Sequence, residues 1–125
     1  MTKPCQSTSR ELFGILGAHP KKSEILKEWN KYFLEKGIDA FMDSYNVKEK
    51  DLLVHFSDMF LFDRRAYIVS PNLQKLVLPY LDVIDLASKE AGKASFIYNR
   101  GGVLIGYFFD DHSVDKILMF VDSKN

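Results

Sequence analysis

Asp110 follows directly on an apolar run that ends at Phe109, and Asp111 and His112 come next. A carboxylate in that position can exchange a proton during catalysis, or it can start a helix, where negative charge offsets the backbone dipole. Three adjacent residues do not readily converge on one ion, and no second histidine lies near them in sequence, so no metal site is expected. Ser23 heads a stretch of helical spacing. Its hydroxyl suits a ligand carboxylate, and it equally suits a helix N-cap accepting a backbone N–H. His19 sits in the loop just before, at the end of an apolar run. Open α/β sheets gather ligands at such ends, although an exposed loop histidine has the same appearance. His55 falls within a second helical stretch and reads as structural or exposed. Cys5 is the single cysteine, in a polar tail, which excludes an intramolecular disulfide or a cysteine-cluster metal site and leaves a free thiol.

The elements that must position these residues follow from the spacing of apolar side chains. Residues 12–16 form a short apolar run closed by Gly17 and Pro20, a buried strand and its loop. Ile25, Leu26, Trp29, Tyr32 and Phe33 then mark one face of a helix capped by Ser23 and ended by Gly37. Residues 40–47 read as a second strand, and Leu52, Leu53, Phe56, Met59 and Phe60 as a second helix. A third strand, 66–70, stops at Pro71; two short helices are expected over 73–81 and 86–91, the latter capped by Asp85 and closed by Gly92. Strands at 94–98 and 103–109 flank Asn99-Arg100-Gly101-Gly102, whose glycines supply positive φ for a hairpin. A last helix is expected over 114–121. Strands alternating with helices imply one three-layer α/β domain: a mixed, mainly parallel sheet flanked by helices, with a hairpin toward its C-terminal side.

Composition narrows the partners. The 125 residues are 46% hydrophobic and 14% aromatic, enough for one packed core behind a flexible tail at residues 1–10. Seventeen basic residues balance seventeen acidic ones, so no net field draws the chain to nucleic acid or an acidic membrane. No apolar run approaches the roughly 20 residues that span a bilayer, and no signal-peptide core follows Met1, so a cytoplasmic protein is expected.

Several motifs in order carry a family likeness. Gly14-Ile15-Leu16-Gly17, then Ser23, Asn30 and Phe33 before Gly37, are followed by Val69-Ser70-Pro71 and Leu78-Pro79-Tyr80-Leu81-Asp82. After them come Ile84-Asp85, Ala87, Ala91-Gly92, and Gly101-Gly102-Val103-Leu104-Ile105-Gly106 with Asp110. Over about residues 13–111 the chain resembles the substrate-binding, N-terminal domain of shikimate dehydrogenases. The resemblance implies a substrate-binding domain over 11–125. In the family a second, dinucleotide-binding domain completes an enzyme that reduces 3-dehydroshikimate with a nicotinamide cofactor. That domain is not expected here, because Gly14 and Gly17 do not make the three-glycine fingerprint of a dinucleotide site. No cofactor is expected in this chain, and NADP only if a partner supplies its domain.

The family grips the substrate carboxylate with two serines and flanks the reacting hydroxyl with a lysine and an aspartate. Carried over, the first serine is Ser23 and the second is Ile25, which cannot donate a hydrogen bond. The family's Asn-Val-Thr becomes Tyr67-Ile68-Val69, and the lysine two places after the proline becomes Leu73. An alkyl group neither moves a proton nor stabilises developing negative charge. Lys75 is the displaced candidate for that amine. A further ligand-binding asparagine corresponds to Ser95, and of the final Asn-Thr-Asp only Asp110 survives, as remnant of the catalytic pair. Shikimate would forgo a hydrogen bond at each of Ile25, Val69 and Leu73, at about 1–3 kcal/mol apiece.

The first reading is therefore a small-molecule-binding or interaction module, not catalytic alone, taking a small polar or hydroxy-acid ligand. One alternative is the substrate-binding half of a split NADP-dependent dehydrogenase; another is a structural dimerisation domain without ligand. Residues 117–121, from Ile117 to Val121, would pack on their own sheet or expose apolar surface to a homodimer or partner chain.

Overall fold

A computed structural model describes residues 10–124; Cys5 and the expected tail before Arg10 lie outside the described residues. The chain runs β1 (Glu11–Leu16), α1 (Lys22–Glu35), β2 (Ala40–Tyr45), α2 (Leu52–Leu61), β3 (Arg64–Val69), β4 (Val83–Ile84), α3 (Leu86–Ala91), β5 (Phe96–Arg100), β6 (Val103–Tyr107) and α4 (Val114–Lys124). The six strands make one sheet in the order β2-β1-β3-β5-β6-β4. β1 pairs in parallel with β2 and β3, and β6 with β4, while β5 runs antiparallel to both neighbours. Five strands thus share one direction, as the mainly parallel expectation requires.

Period-two alternation divides the core between the two faces of the sheet. Phe13, Ile15, Ala66, Ile68, Phe96, Ile105 and Tyr107 meet Ile25, Trp29 and Phe33 of α1 and Val114, Ile117 and Val121 of α4. On the other face Leu16, Tyr67, Val69 and Ile97 meet Leu52, Phe56 and Met59 of α2. Helices on both sides give the three layers.

Gly14 has no room for a side chain. A Cβ there would collide with the Tyr45 ring and lie 3.2 Å from Tyr67 Cδ1. The Tyr45 ring cannot retreat freely, because the Arg64 guanidinium stacks 4.2 Å from its centre. Gly14→Val is therefore expected to cost about 2 kcal/mol by overpacking, read from the urea midpoint at unchanged m-value.

The exposed edge of β2 is closed by the chain's own acceptors. Ala40 N–H donates to Ile38 O, Met42 N–H to Asn30 Oδ1 at 2.7 Å, and Ser44 N–H to Asp43 Oδ1. Asn30 Nδ2 also donates to Met42 O, so its amide mimics the neighbouring strand that an edge lacks.

Four local expectations are corrected. Residues 73–81 form no α-helix but two 3₁₀ turns, Pro71–Leu73 and Leu78–Tyr80. Pro79 has no N–H to give and its ring crowds the preceding turn, so the segment cannot wind on. The two-residue strand β4 was not expected; it is too short for alternation to show and exists through its pairing with β6. Ser23 is not the cap of α1: Lys21 stands there, and Ser23 is an exposed residue of the first turn. Asp85 does hold the cap position of α3, but its side chain makes no capping bond. The hairpin is confirmed and tightened. Arg100 pairs with Val103, leaving Gly101 and Gly102 at φ 58° and 98° as a two-residue loop.

Residues 117–121 pack mainly inward. Ile117 and Val121 are buried in the core, Met119 is 71% exposed, and Phe120 contacts the rings of Tyr107 and Phe109.

Candidate functional site

The loops after β1 and β6 meet beyond the carboxyl ends of those parallel strands, and a cleft of about 300 Å³ lies between them. One wall is the first turns of α1, with Lys21, Glu24, Ile25 and Glu28; the other is Asp110, Asp111, His112 and Ser113. Glu24 and Glu28 are one helical turn apart on the same face, which places both carboxylates in the cleft.

Ser95 sets the height of the second wall. It is buried, its Oγ accepts the Phe109 N–H at 2.8 Å, and it donates to Phe109 O at 3.3 Å. Its hydroxyl is engaged by the backbone just before Asp110, so Ser95 positions the loop, and it is not among the residues that line the cleft. Ser95→Ala should cost about 1 kcal/mol, because a partly buried Phe109 N–H is left without its acceptor, and Ser95→Thr should cost less. Equilibrium unfolding of the two variants checks both.

Trp29 ties the same loop to α1 by donating its Nε1–H to His112 O at 3.0 Å. Asp111 accepts Ser113 N–H at 3.1 Å and pairs with Lys116 at 3.2 Å, and these two contacts lower its pKa. The half-buried His112 is held below the ordinary histidine value by burial and then by Lys21, against the opposing pull of Asp111, Glu28 and Glu24. Its ring meets that of His19 edge to face, with centroids 4.6 Å apart. His19 is pushed down to about 4, first by burial, then by His112 and Lys21.

The sequence-derived candidates separate in space. Asp110 lines the cleft and is open to solvent. Ser23 is exposed in the first turn of α1 and is absent from the cleft walls, as is Lys75, which is exposed beyond β3. Leu73 is buried at 1% exposure in the core on the α2 face, with Cδ1 2.8 Å from where a Gly17 Cβ would stand. Val69 is buried in the same core, and Ile25 is at once a cleft wall and a core residue. The Tyr67 hydroxyl donates to His55 O and accepts from Arg64, away from the cleft.

Lys21, Glu24, Glu28 and Ser113 had not been singled out from sequence. The spacing of the two glutamates beside Ile25 was the available signal. With Lys116 engaged by Asp111, four carboxylates at the cleft face one lysine of its own walls. Among the described residues no group of three or more metal-binding side chains converges, and no helix is long and apolar enough to cross a membrane.

No protein-family model matches the chain. It is 27% identical over 89 residues to the NADP(+) shikimate dehydrogenase of Streptococcus sanguinis, covering 71% of this chain and 31% of that protein. It is 30% identical over 113 residues to the corresponding enzyme of Symbiobacterium thermophilum, covering 88% and 38%. The crystal structure of Listeria monocytogenes shikimate 5-dehydrogenase in complex with shikimate and NAD superimposes with a TM-score of 0.78 at 22% identity, over 98% of this chain and 42% of that one. The chain thus spans well under half the length of the relatives it matches.

Proposed function

We propose that this chain, similar in sequence and fold to part of the shikimate dehydrogenases, is a small-molecule-binding module that has kept their cleft and lost their proton-transfer chemistry. The observation that carries the reading is Leu73. The position that the resemblance assigns to the family's lysine is buried in the hydrophobic core, while Asp110 lines an open cleft. A carboxylate without its amine partner can orient a hydroxyl by accepting its hydrogen bond, but it has no paired acid to complete proton exchange.

The ligand class follows from the walls. Glu24, Glu28 and Asp110 repel a carboxylate, and Ile25 offers no donor for one. A small hydroxylated molecule, neutral or bearing an amine, fits better than shikimate itself. The test is a titration of the protein with shikimate, with neutral polyols and with amino polyols, followed by amide NMR. Shifts confined to Lys21, Glu24, Glu28 and 110–113, larger for the uncharged or amine-bearing compounds, support the reading. Shikimate binding most tightly would overturn it.

A second reading is favoured by how little of the relatives the chain spans, 31% and 38% of the two enzymes above. In it the module is the substrate-binding half of a dehydrogenase whose NADP-binding part lies in further sequence or in a partner chain, and Lys75 or a partner residue supplies the proton. Met119 and Phe120 offer outward apolar surface for a partner or a second copy.

A further inference from the structure

We propose that His19 and His112 form an acid-opened latch that clasps the loop after β1 to the loop after β6 at the edge of the cleft. The latch goes beyond the ligand reading and stands whether or not the cleft is filled.

The tautomer of His19 is fixed by its contacts. Nδ1 accepts the Lys21 N–H at 3.0 Å, so the single proton of the neutral ring is on Nε2. The residue is 7% exposed, and Nε2 has no hydrogen-bond partner among the described residues. A second proton has only Nδ1 to occupy. There it would point at the Lys21 N–H, turning an acceptor into a donor opposite a donor. Lys21 is the cap residue of α1, so the same event puts positive charge at the helix end whose dipole already favours anions.

The charges around the pair act in one direction on His19. Lys21 and His112 face it, and both oppose its protonation. His112 faces Lys21 from the α1 side and Asp111, Glu28 and Glu24 from both walls, and the carboxylates help it to charge. Asp111 is itself shared with Lys116. When His112 charges, the repulsion on His19 grows, and once His19 is protonated as well the edge-to-face contact lies between two cations.

With a pKa of about 4 in the closed form and an ordinary 6.5 once released, His19 binds fewer protons when the latch is shut. Closing is therefore fully favoured above about pH 6.5 and weakens as pH falls through the window to 4, by a factor of about 150 at pH 4. Trp29 reports directly, since it is the one tryptophan in the sequence and its indole N–H is bonded to His112 O.

The experiment follows the His19 ring protons, the Lys21 amide and the Trp29 indole N–H by NMR from pH 7.5 to 4, with far-UV circular dichroism alongside. The expected result is one reversible transition, with a common midpoint for all three, faster indole hydrogen exchange at low pH, and unchanged helix signal. His19→Asn keeps an acceptor for Lys21 N–H without a titrating ring, and should remove the transition from Lys21 and Trp29. Should that variant fail to fold, the shared midpoint in the unaltered protein still decides. Separate midpoints, loss of helix signal at the same pH, or a transition unchanged in His19→Asn would each overturn the latch.

Discussion

Trp29→Ala is expected to destabilise the protein by about 4 kcal/mol, the largest loss of any single truncation in the α1 face of the core. Trp29 has no exposed surface and lies about 6 Å, centre to centre, from the rings of Phe13, Phe33 and Phe96. Removing it opens a cavity between helix and sheet and leaves His112 O without its donor. Domains of this size hold about 5–15 kcal/mol in total, so the variant should sit close to its unfolding transition at 37 °C. Trp29→Phe keeps the packing and loses the bond, and should recover roughly half of the deficit. Leu34→Ala, on the same helix but 82% exposed, should change stability by less than about 0.5 kcal/mol. Urea unfolding of the three variants orders them; an order other than Trp29→Ala, Trp29→Phe, Leu34→Ala in decreasing damage would contradict the packing described.

Leu73→Lys is expected to damage the fold and restore nothing. Position 73 is 1% exposed among Leu16, Val69 and Val77, and it faces Gly17. An ammonium there would have no counter-charge among those neighbours, and burying it costs about 3–5 kcal/mol. The same burial would depress the pKa of the new lysine. The deficit should then shrink as pH rises toward the ordinary lysine value, because deprotonation removes the buried charge. Leu73→Met should cost under about 1.5 kcal/mol at every pH. A Leu73→Lys protein as stable as the parent at pH 7 would mean that the side chain reaches solvent or the cleft, and that the core does not seal this position.

Much of this arrangement is legible from residue order, and the exceptions have physical causes. The helix stripe of Ile25, Trp29 and Phe33 and the paired glycines of the hairpin report local geometry, so spacing alone reveals them. The 73–81 segment misleads because its leucines have helical spacing, while Pro79 removes the backbone donor that the spacing assumes. The likeness to shikimate dehydrogenases points to Asp110, which lines the cleft, and to Leu73, which lies apart from it in the core. It also points to Ser95, whose hydroxyl bonds the Phe109 backbone and which is not among the cleft walls. The pairing of His19 with His112 depends on two loops at the ends of non-adjacent strands, a tertiary fact without a sequence period.

On the proposed reading, the cleft lacks a proton-transfer amine and does not turn over the substrate of its relatives. Reduction of 3-dehydroshikimate by NADPH, measured with the chain alone and with an added dinucleotide-binding domain from one of those enzymes, tests this most directly when run beside Lys75→Ala. No turnover above the uncatalysed rate in any mixture is the predicted result. Turnover that disappears in Lys75→Ala would show a working amine in the site and contradict it.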